Sequence, residues 1–228
     1  VQNRTNVFEE YYSKTPFRKI LWNQLSDREI FDVLDKLKVP KNFRIVSLGC
    51  GTGQKEIYAA KNGYKNIVGV DISQAAIETA RSLSKKAGVE TKFYAEDIIS
   101  LSKLDISKKL RVPDLLVDWM SFHTVAKEQR KKYTEVVNAI NPHWFLIRAF
   151  SKKDSDYEKT KKDKLPNLGA NDIYRHFFDF EDLSKLFNTF YPVLQFDTKE
   201  YVNPQRFIDN KVAAKVTVLF VNKKRIFS

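Results

Sequence analysis

A chain of 228 residues, 43% of them hydrophobic, is long enough to bury one sizeable core and too short for several domains of ordinary size. No run approaches the about 20 apolar residues of a membrane span, the opening Val1-Gln2-Asn3-Arg4-Thr5 lacks an apolar signal core, and the lone cysteine, Cys50, excludes an internal disulfide. These features predict a cytoplasmic globular protein without a membrane partner. The net charge of +12 admits nucleic acid as a partner, but the lysines are spread along the chain, and the dense groups at 152–153, 159–164 and 223–225 read first as solvated surface.

Residues 1–39 form an arm ahead of the main domain, which runs from 40 to 228. The arm carries the aromatic strip Val7-Phe8-Glu9-Glu10-Tyr11-Tyr12 and then Ser26-Asp27-Arg28-Glu29, a capping-box pattern that opens an amphipathic helix with Ile30, Phe31, Val33, Leu34 and Leu37 on its apolar face. The apolar run Phe43 to Leu48 leads into Gly49-Cys50-Gly51-Thr52-Gly53 and a helical segment from Gln54, so it reads as strand, glycine turn, helix. Glycines there allow positive φ and close approach of the backbone to a ligand. Asp71 ends the next apolar run, twenty residues after Gly51, where ribose hydroxyls are gripped in nucleotide-binding α/β folds.

Strands at 43–48, 66–70, 91–95, 114–118 and 143–150 alternate with helices at 54–62, 73–87, 98–109 and 126–140, with Gly63 and Gly88 where the first two helices should stop. That alternation predicts an α/β fold: a mostly parallel Rossmann-like sheet with helices on both faces and the ligand outside the carboxyl ends of the strands, where Gly49 to Gly53, Asp71, Asp97 and Asp118 all fall. A lysine-rich loop from 151 to about 170 follows. Then come a helix over 178–187 and two extended segments, 193–202 and 212–221, joined at Asn203-Pro204, which can pair antiparallel.

A dinucleotide fingerprint, G-x-G-x-x-G, needs glycine at position 54, which is Gln. The pattern G-x-G-x-G in Leu48-Gly49-Cys50-Gly51-Thr52-Gly53 instead resembles motif I of the class I S-adenosylmethionine (SAM) dependent methyltransferases. The resemblance extends from about residue 40 to the end and implies a seven-stranded sheet of order 3-2-1-4-5-7-6 with strand 7 reversed. It further implies that the turn at Gly49, Cys50, Gly51 and Gly53 takes the methionine end of SAM, Asp71 its ribose and Ile72 one face of its adenine. Asp97 and Ile98, in a segment similar to the third motif, would meet the adenine edge and ring; the alternative for Asp97 is an N-cap on the following helix.

Pro113 to Val125 resembles the fourth motif of small-molecule methyltransferases related to the thiopurine and thiol methyltransferases. Asp118 and His123 match it, whereas Trp119 and Met120 stand where Arg and Gly are usual. By this resemblance Asp118 favours the cationic sulfonium of SAM over the neutral product S-adenosylhomocysteine (SAH), and the arm lies over the cofactor with Tyr11 and Tyr12 at the acceptor; the alternative is that Tyr11, Tyr12, Phe17 and Trp22 only pack the arm on the core. The acceptor would meet Trp119 and, in the 151–177 loop, Gly169, Tyr174 and Arg175. His123 reads either as the general base or as a wall residue. No metal is required. The expected activity is methyl transfer to O, S or N of a small molecule; the alternatives are an RNA methyltransferase and a SAM-binding regulatory subunit without turnover.

Overall fold

The computed structural model of the protein describes residues 4–20, 23, 28–101, 110–157, 175–202 and 211–226. The first element is a helix, α1 (Arg4–Lys14), where the sequence showed only an aromatic strip. It packs against the helix that follows the second strand. The amphipathic helix of the arm is α2 (Arg28–Lys36), whose Ile30 and Leu34 are buried. Ser26, the expected cap, lies outside the described residues.

The alternation read from the sequence is present: β1 (Arg44–Leu48), α3 (Gln54–Lys61), β2 (Asn66–Asp71), α4 (Gln74–Ala87), β3 (Lys92–Ala95), β4 (Leu115–Trp119), α5 (Arg130–Ile140) and β5 (Trp144–Phe150). Then come α6 (Phe180–Leu186), β6 (Phe190–Val202) and β7 (Lys211–Asn222). The seven strands form one sheet in the order β3-β2-β1-β4-β5-β7-β6, with β7 antiparallel to both of its neighbours. This is the predicted topology. The expected helix at 98–109 is, over its described part, a single 3₁₀ turn, Ile98–Ser100, and the helix expected from 126 opens as a 3₁₀ turn at Lys127–Gln129.

Register and alternation sort the core into two layers. Val46, Leu48, Val68, Val70, Leu116, Phe145, Ile147, Val218 and Phe220 face α5 and α6, where Tyr133, Val137, Leu183 and Phe187 complete the larger cluster. Ile45, Ile67, Leu115, Val117, Trp119 and Leu146 point the other way, against Ile30 and Leu34 of α2. Strands buried on both faces in this way need near-continuous apolar runs, which is what β1, β4 and β5 have. Phe93 of β3 closes a third cluster with Ile57, Ile77 and Ala80.

Candidate functional site

The carboxyl ends of the parallel strands gather the glycine turn, Asp71 and the loop after β4. Gly49, Gly51 and Gly53 have φ of 70°, 56° and 69°, the left-handed region that a side chain disfavours. A Cβ at Gly49 would overlap Cβ and Oγ of Ser121, and one at Gly53 would lie 2.6 Å from the Phe93 ring. The turn is therefore shaped by its neighbours as well as by its own torsions. The N–H groups of Gly49 and Cys50 both donate to the Val70 carbonyl, at 2.7 and 3.0 Å, which ties the turn to the end of β2.

Asp71 is 6% exposed. Its Oδ2 accepts from the Gly51 N–H at 2.8 Å and its Oδ1 from the Ser73 N–H at 3.0 Å. The acid read from spacing is thus bonded directly to the glycine turn. Ile72 follows it, half-buried, and Ser73 caps α4 by accepting from Ala76 N–H at 3.1 Å. Asp97 Oδ1 accepts from Ile99 N–H at 3.1 Å, so it caps the 3₁₀ turn in which Ile98 is buried. Cys50 is a packing residue. Its Sγ would stand 2.8 Å from a Cβ at Gly69, and burial, with the carboxylates of Glu56 and Asp71 nearby, pushes the thiol well above its usual range.

The arm is fastened to this site by residues that carry no motif. Glu9 Oε2 accepts from Ser73 Oγ at 2.7 Å, and Glu9 also receives the Ala75 N–H at 3.2 Å, so an acid of α1 sits on the N-terminus of α4. Thr52, inside the glycine turn, donates from Oγ1 to Asn23 Oδ1 at 3.0 Å. Tyr11 and Tyr12 are half-buried one step along α1, edge to face at 5.9 Å. One of two adjacent glutamates in an aromatic strip gives a sequence reader no signal for such a contact.

Asp118 is fully buried at the end of β4. Its Oδ1 accepts from the N–H groups of Ser121 and Phe122 at 2.8 and 3.0 Å, and Oδ2 accepts from the Tyr133 hydroxyl. These bonds direct the carboxylate into the loop and α5. The loop in turn sets Ser121 against Gly49. Met120, at the place where glycine is usual, has φ of 71°, so the loop keeps a glycine's conformation with a side chain present.

His123 follows in a 3₁₀ turn, 7% exposed, its ring edge-on to Phe150 at 4.7 Å. The His123 carbonyl accepts from His176 N–H at 2.8 Å, and Phe178 N–H donates to the Phe150 carbonyl at 2.8 Å. This lays segment 175–178 along the end of β5 and brings the Arg175 guanidinium over the Phe150 ring, 4.0 Å from its centroid, with Asp156 at 3.5 Å. Burial pulls the Arg175 pKa down, opposed by Asp154 and Asp156. His123 and Arg175 thus meet at Phe150. Trp119 lies apart from them, on the face covered by α2. Gly169 and Tyr174 fall outside the described residues.

Among the described residues no three His, Cys, Asp or Glu side chains stand at metal-binding distances, and no helix is long and apolar enough to cross a membrane.

Comparison with known proteins agrees with this geometry. Residues 45–143 match the family model described as a methyltransferase domain. The human EEF1A lysine methyltransferase 2 is 26% identical over 129 residues, 54% of this chain and 52% of that protein. The chain spans from about a quarter to 57% of the length of the curated relatives it matches. Among solved structures, a SAM-dependent methyltransferase from Anabaena variabilis superposes with a TM-score of 0.76 at 16% identity, covering 97% of this chain and 96% of that one. The magnesium protoporphyrin IX methyltransferase of Synechocystis, solved with bound SAM, gives 0.68 at 12% identity over 98% and 99%. At these identities the structural likeness is one of fold.

Proposed function

We propose that this chain, whose residues 45–143 match a methyltransferase domain and whose seven strands take the order of the class I fold, moves a methyl group from SAM to O, S or N of a small-molecule acceptor. The observation that carries the reading is the bond between Asp71 and Gly51, which makes the ribose acid and the glycine turn one rigid unit. The residues fit the cofactor. The three left-handed glycines keep side chains out of the turn, and a Cβ at Gly49 would overlap Ser121. A carboxylate has about four acceptor sites, so two backbone N–H groups leave Asp71 able to accept hydroxyls as well.

Gly49, Cys50, Gly51 and Gly53 would hold the methionine end of SAM, Asp71 the ribose, and Ile72, Asp97 and Ile98 the adenine. SAM supplies an electrophilic methyl on a good leaving group, and in-line displacement needs little more than alignment and a dry site. The arm, fastened through Glu9 and Asn23, excludes water from above. Asp118 holds the 119–122 loop and contributes negative charge beneath it. His123 would take the acceptor's proton, with Tyr11, Tyr12 and Arg175 forming the acceptor's surroundings, while Trp119, packed under α2, falls outside them.

A protein side chain is the second reading, favoured by the likeness to EEF1A lysine methyltransferase 2 over half the chain. The +12 charge speaks against a lysine-rich acceptor and keeps RNA in view. The test is transfer of labelled methyl from SAM into a cell extract split by size, with nuclease- and protease-treated portions in parallel. Label in the small fraction, untouched by either enzyme, is the expected result. Protease-sensitive label would replace it with the protein reading and nuclease-sensitive label with RNA. Tight SAM binding without SAH formation in any fraction would leave a regulatory subunit.

A further inference from the structure

The described residues expose five large apolar side chains, Val112, Tyr191, Val193, Leu194 and Ile226, each between 38% and 51% exposed. Scattered singly, such residues need no explanation. These five share one end of the molecule. Val112 precedes β4, Tyr191, Val193 and Leu194 open β6, and Ile226 follows the 3₁₀ turn Lys223–Arg225 that ends β7. β7 runs against both β5 and β6, so β6 starts where β4 and β5 start. All five therefore stand at the end of the sheet opposite the glycine turn.

Bonds between the segments make that end one front. His143 N–H donates to the Pro113 carbonyl at 3.2 Å, Asn222 N–H to the His143 carbonyl at 3.0 Å, and Lys223 N–H to the Thr189 carbonyl at 3.4 Å. The strand order β4-β5-β7-β6, at about 4.8 Å per step, gives the front a width of about 14 Å. Along β5, Trp144–Phe150, the cofactor end is about 20 Å away.

The charge of the front has one sign. The sequence holds no Asp or Glu from 141 to 150, from 188 to 196 or from 211 to 228. Asp114, two residues after Val112, is engaged by the Arg44 N–H at 2.8 Å. Lys223 Nζ donates to the Asn188 carbonyl at 2.7 Å and lies 4.5 Å from the centroid of the Tyr191 ring, and Lys224 is exposed beside it. Neither lysine is paired with a carboxylate among the described residues. Trp144, half-buried and stacked on His143 at 5.5 Å, shares a register row with Val221 and Tyr191.

Aliphatic side chains beside lysines, with tyrosine and tryptophan among them, suit the boundary layer of a bilayer whose headgroups are anionic. Other occupants fit less well. A second copy meeting this front about a twofold axis would set lysines against lysines, and RNA would gain phosphate contacts and ring stacking but nothing from Val193, Leu194 and Ile226. A protein partner would need pockets to desolvate these side chains, whereas a bilayer takes residues that stand out from a surface. Such a contact needs no apolar span, the feature whose absence set a membrane partner aside in the sequence.

We propose that this end of the sheet docks on an anionic lipid surface, with Tyr191, Val193, Leu194 and Ile226 in the interfacial layer, Lys223 and Lys224 on the headgroups, and the cofactor end turned to water. Docking of this kind concerns where the protein works and goes beyond the methyltransferase reading without depending on it.

The test is cosedimentation of the purified full chain with vesicles of phosphatidylcholine alone and of phosphatidylcholine and phosphatidylserine in a two-to-one mixture. Wild type should bind the mixed vesicles and not the neutral ones, and should come off as salt is raised. Lys224→Gln should weaken binding about fivefold and Val193→Asn severalfold, both with an unchanged thermal midpoint. Lys131→Gln removes the same charge from an exposed position at the start of α5, by the cofactor end, and should change affinity by less than about twofold. Folded wild type that leaves the mixed vesicles unbound would overturn the proposal. So would Val193→Asn binding like wild type, or a loss in Lys131→Gln equal to that in Lys224→Gln, since net charge alone would then be acting. Dimers in sedimentation that Val193→Asn abolishes would give the front to a second copy instead, and tighter binding of poly(U) than of vesicles, weakened by Lys224→Gln, would give it to RNA. SAH affinity on the same variants should equal that of wild type; a wild type that docks but binds no SAH would sink the methyltransferase reading and leave the docking standing.

Discussion

Replacing Asp71 tests the centre of the proposal, because two different penalties follow from the same two bonds. Its oxygens hold the Gly51 and Ser73 N–H groups at 2.8 and 3.0 Å in a buried setting. In Asp71→Ala both donors lose their acceptor, at about 1–3 kcal/mol each, and for a domain of this size each kcal/mol lowers the thermal midpoint by about 2–4 °C. A fall of roughly 4–24 °C is expected. The cofactor loses two charge-assisted hydroxyl bonds as well; at the lower end of about 1.5 kcal/mol each that is about 3 kcal/mol, or roughly 10²-fold in Kd. Asp71→Asn separates the two penalties. Its carbonyl keeps one N–H partner, so the midpoint should recover by about half, while its amide cannot accept the second hydroxyl and the affinity loss should largely persist. Calorimetry with SAH and a thermal melt on each variant provide the readouts. SAH affinity within about twofold of wild type in a well-folded Asp71→Asn protein would refute the assignment of Asp71 to the ribose.

Three further outcomes follow from buried or bridging groups. Tyr133→Phe removes the hydroxyl that donates to Asp118 and should cost about 1.5–3 kcal/mol, seen as a thermal midpoint lower by about 3–12 °C; an unchanged melt would mean that Asp118 does not depend on that bond. Glu9→Ala releases α1 from Ser73 and Ala75 and should speed hydrogen exchange in residues 4–14 and shorten SAH residence while leaving β1 to β5 as protected as before. Glu56 is buried, with Ser47 Oγ donating to its Oε1 at 2.6 Å and desolvation raising its pKa above the ordinary 4.5. A carboxyl whose folded pKa is raised contributes stability below its unfolded value and loses it as pH rises through the folded one. Melts at pH 5 and pH 8 should therefore show Glu56→Gln gaining on wild type toward the alkaline end, and a gain independent of pH would contradict a raised Glu56 pKa.

What the sequence disclosed and what it withheld divide along contact distance in the chain. The glycine turn, Asp71 and the alternation of strands and helices are set by local torsion and by apolar periodicity, and a reader of residues 43–150 meets all of them in order. Trp119-Met120, which departs from the usual Arg-Gly, shows that the departure is chemical and not conformational: Met120 still takes φ of 71°, imposed by Asp118 holding the next two N–H groups. Helix α1 was hidden because it is short, with only Val7, Phe8, Tyr11 and Tyr12 to mark a helical face, and its anchor, Glu9, acts on Ser73, 64 residues away. The helix expected at 178 begins at Phe180, because Asp179 caps it and Phe178 is drawn into a bridge with Ser151. The same division explains why cofactor chemistry was readable and the acceptor was not. A ligand gripped by one βα turn and the end of the next strand leaves its pattern in about 25 consecutive residues, whereas His123, Phe150 and Arg175 come from three separate segments that only the closed sheet brings together. Any acceptor specificity written in such residues changes without disturbing the motif, which is how one fold can serve many acceptors.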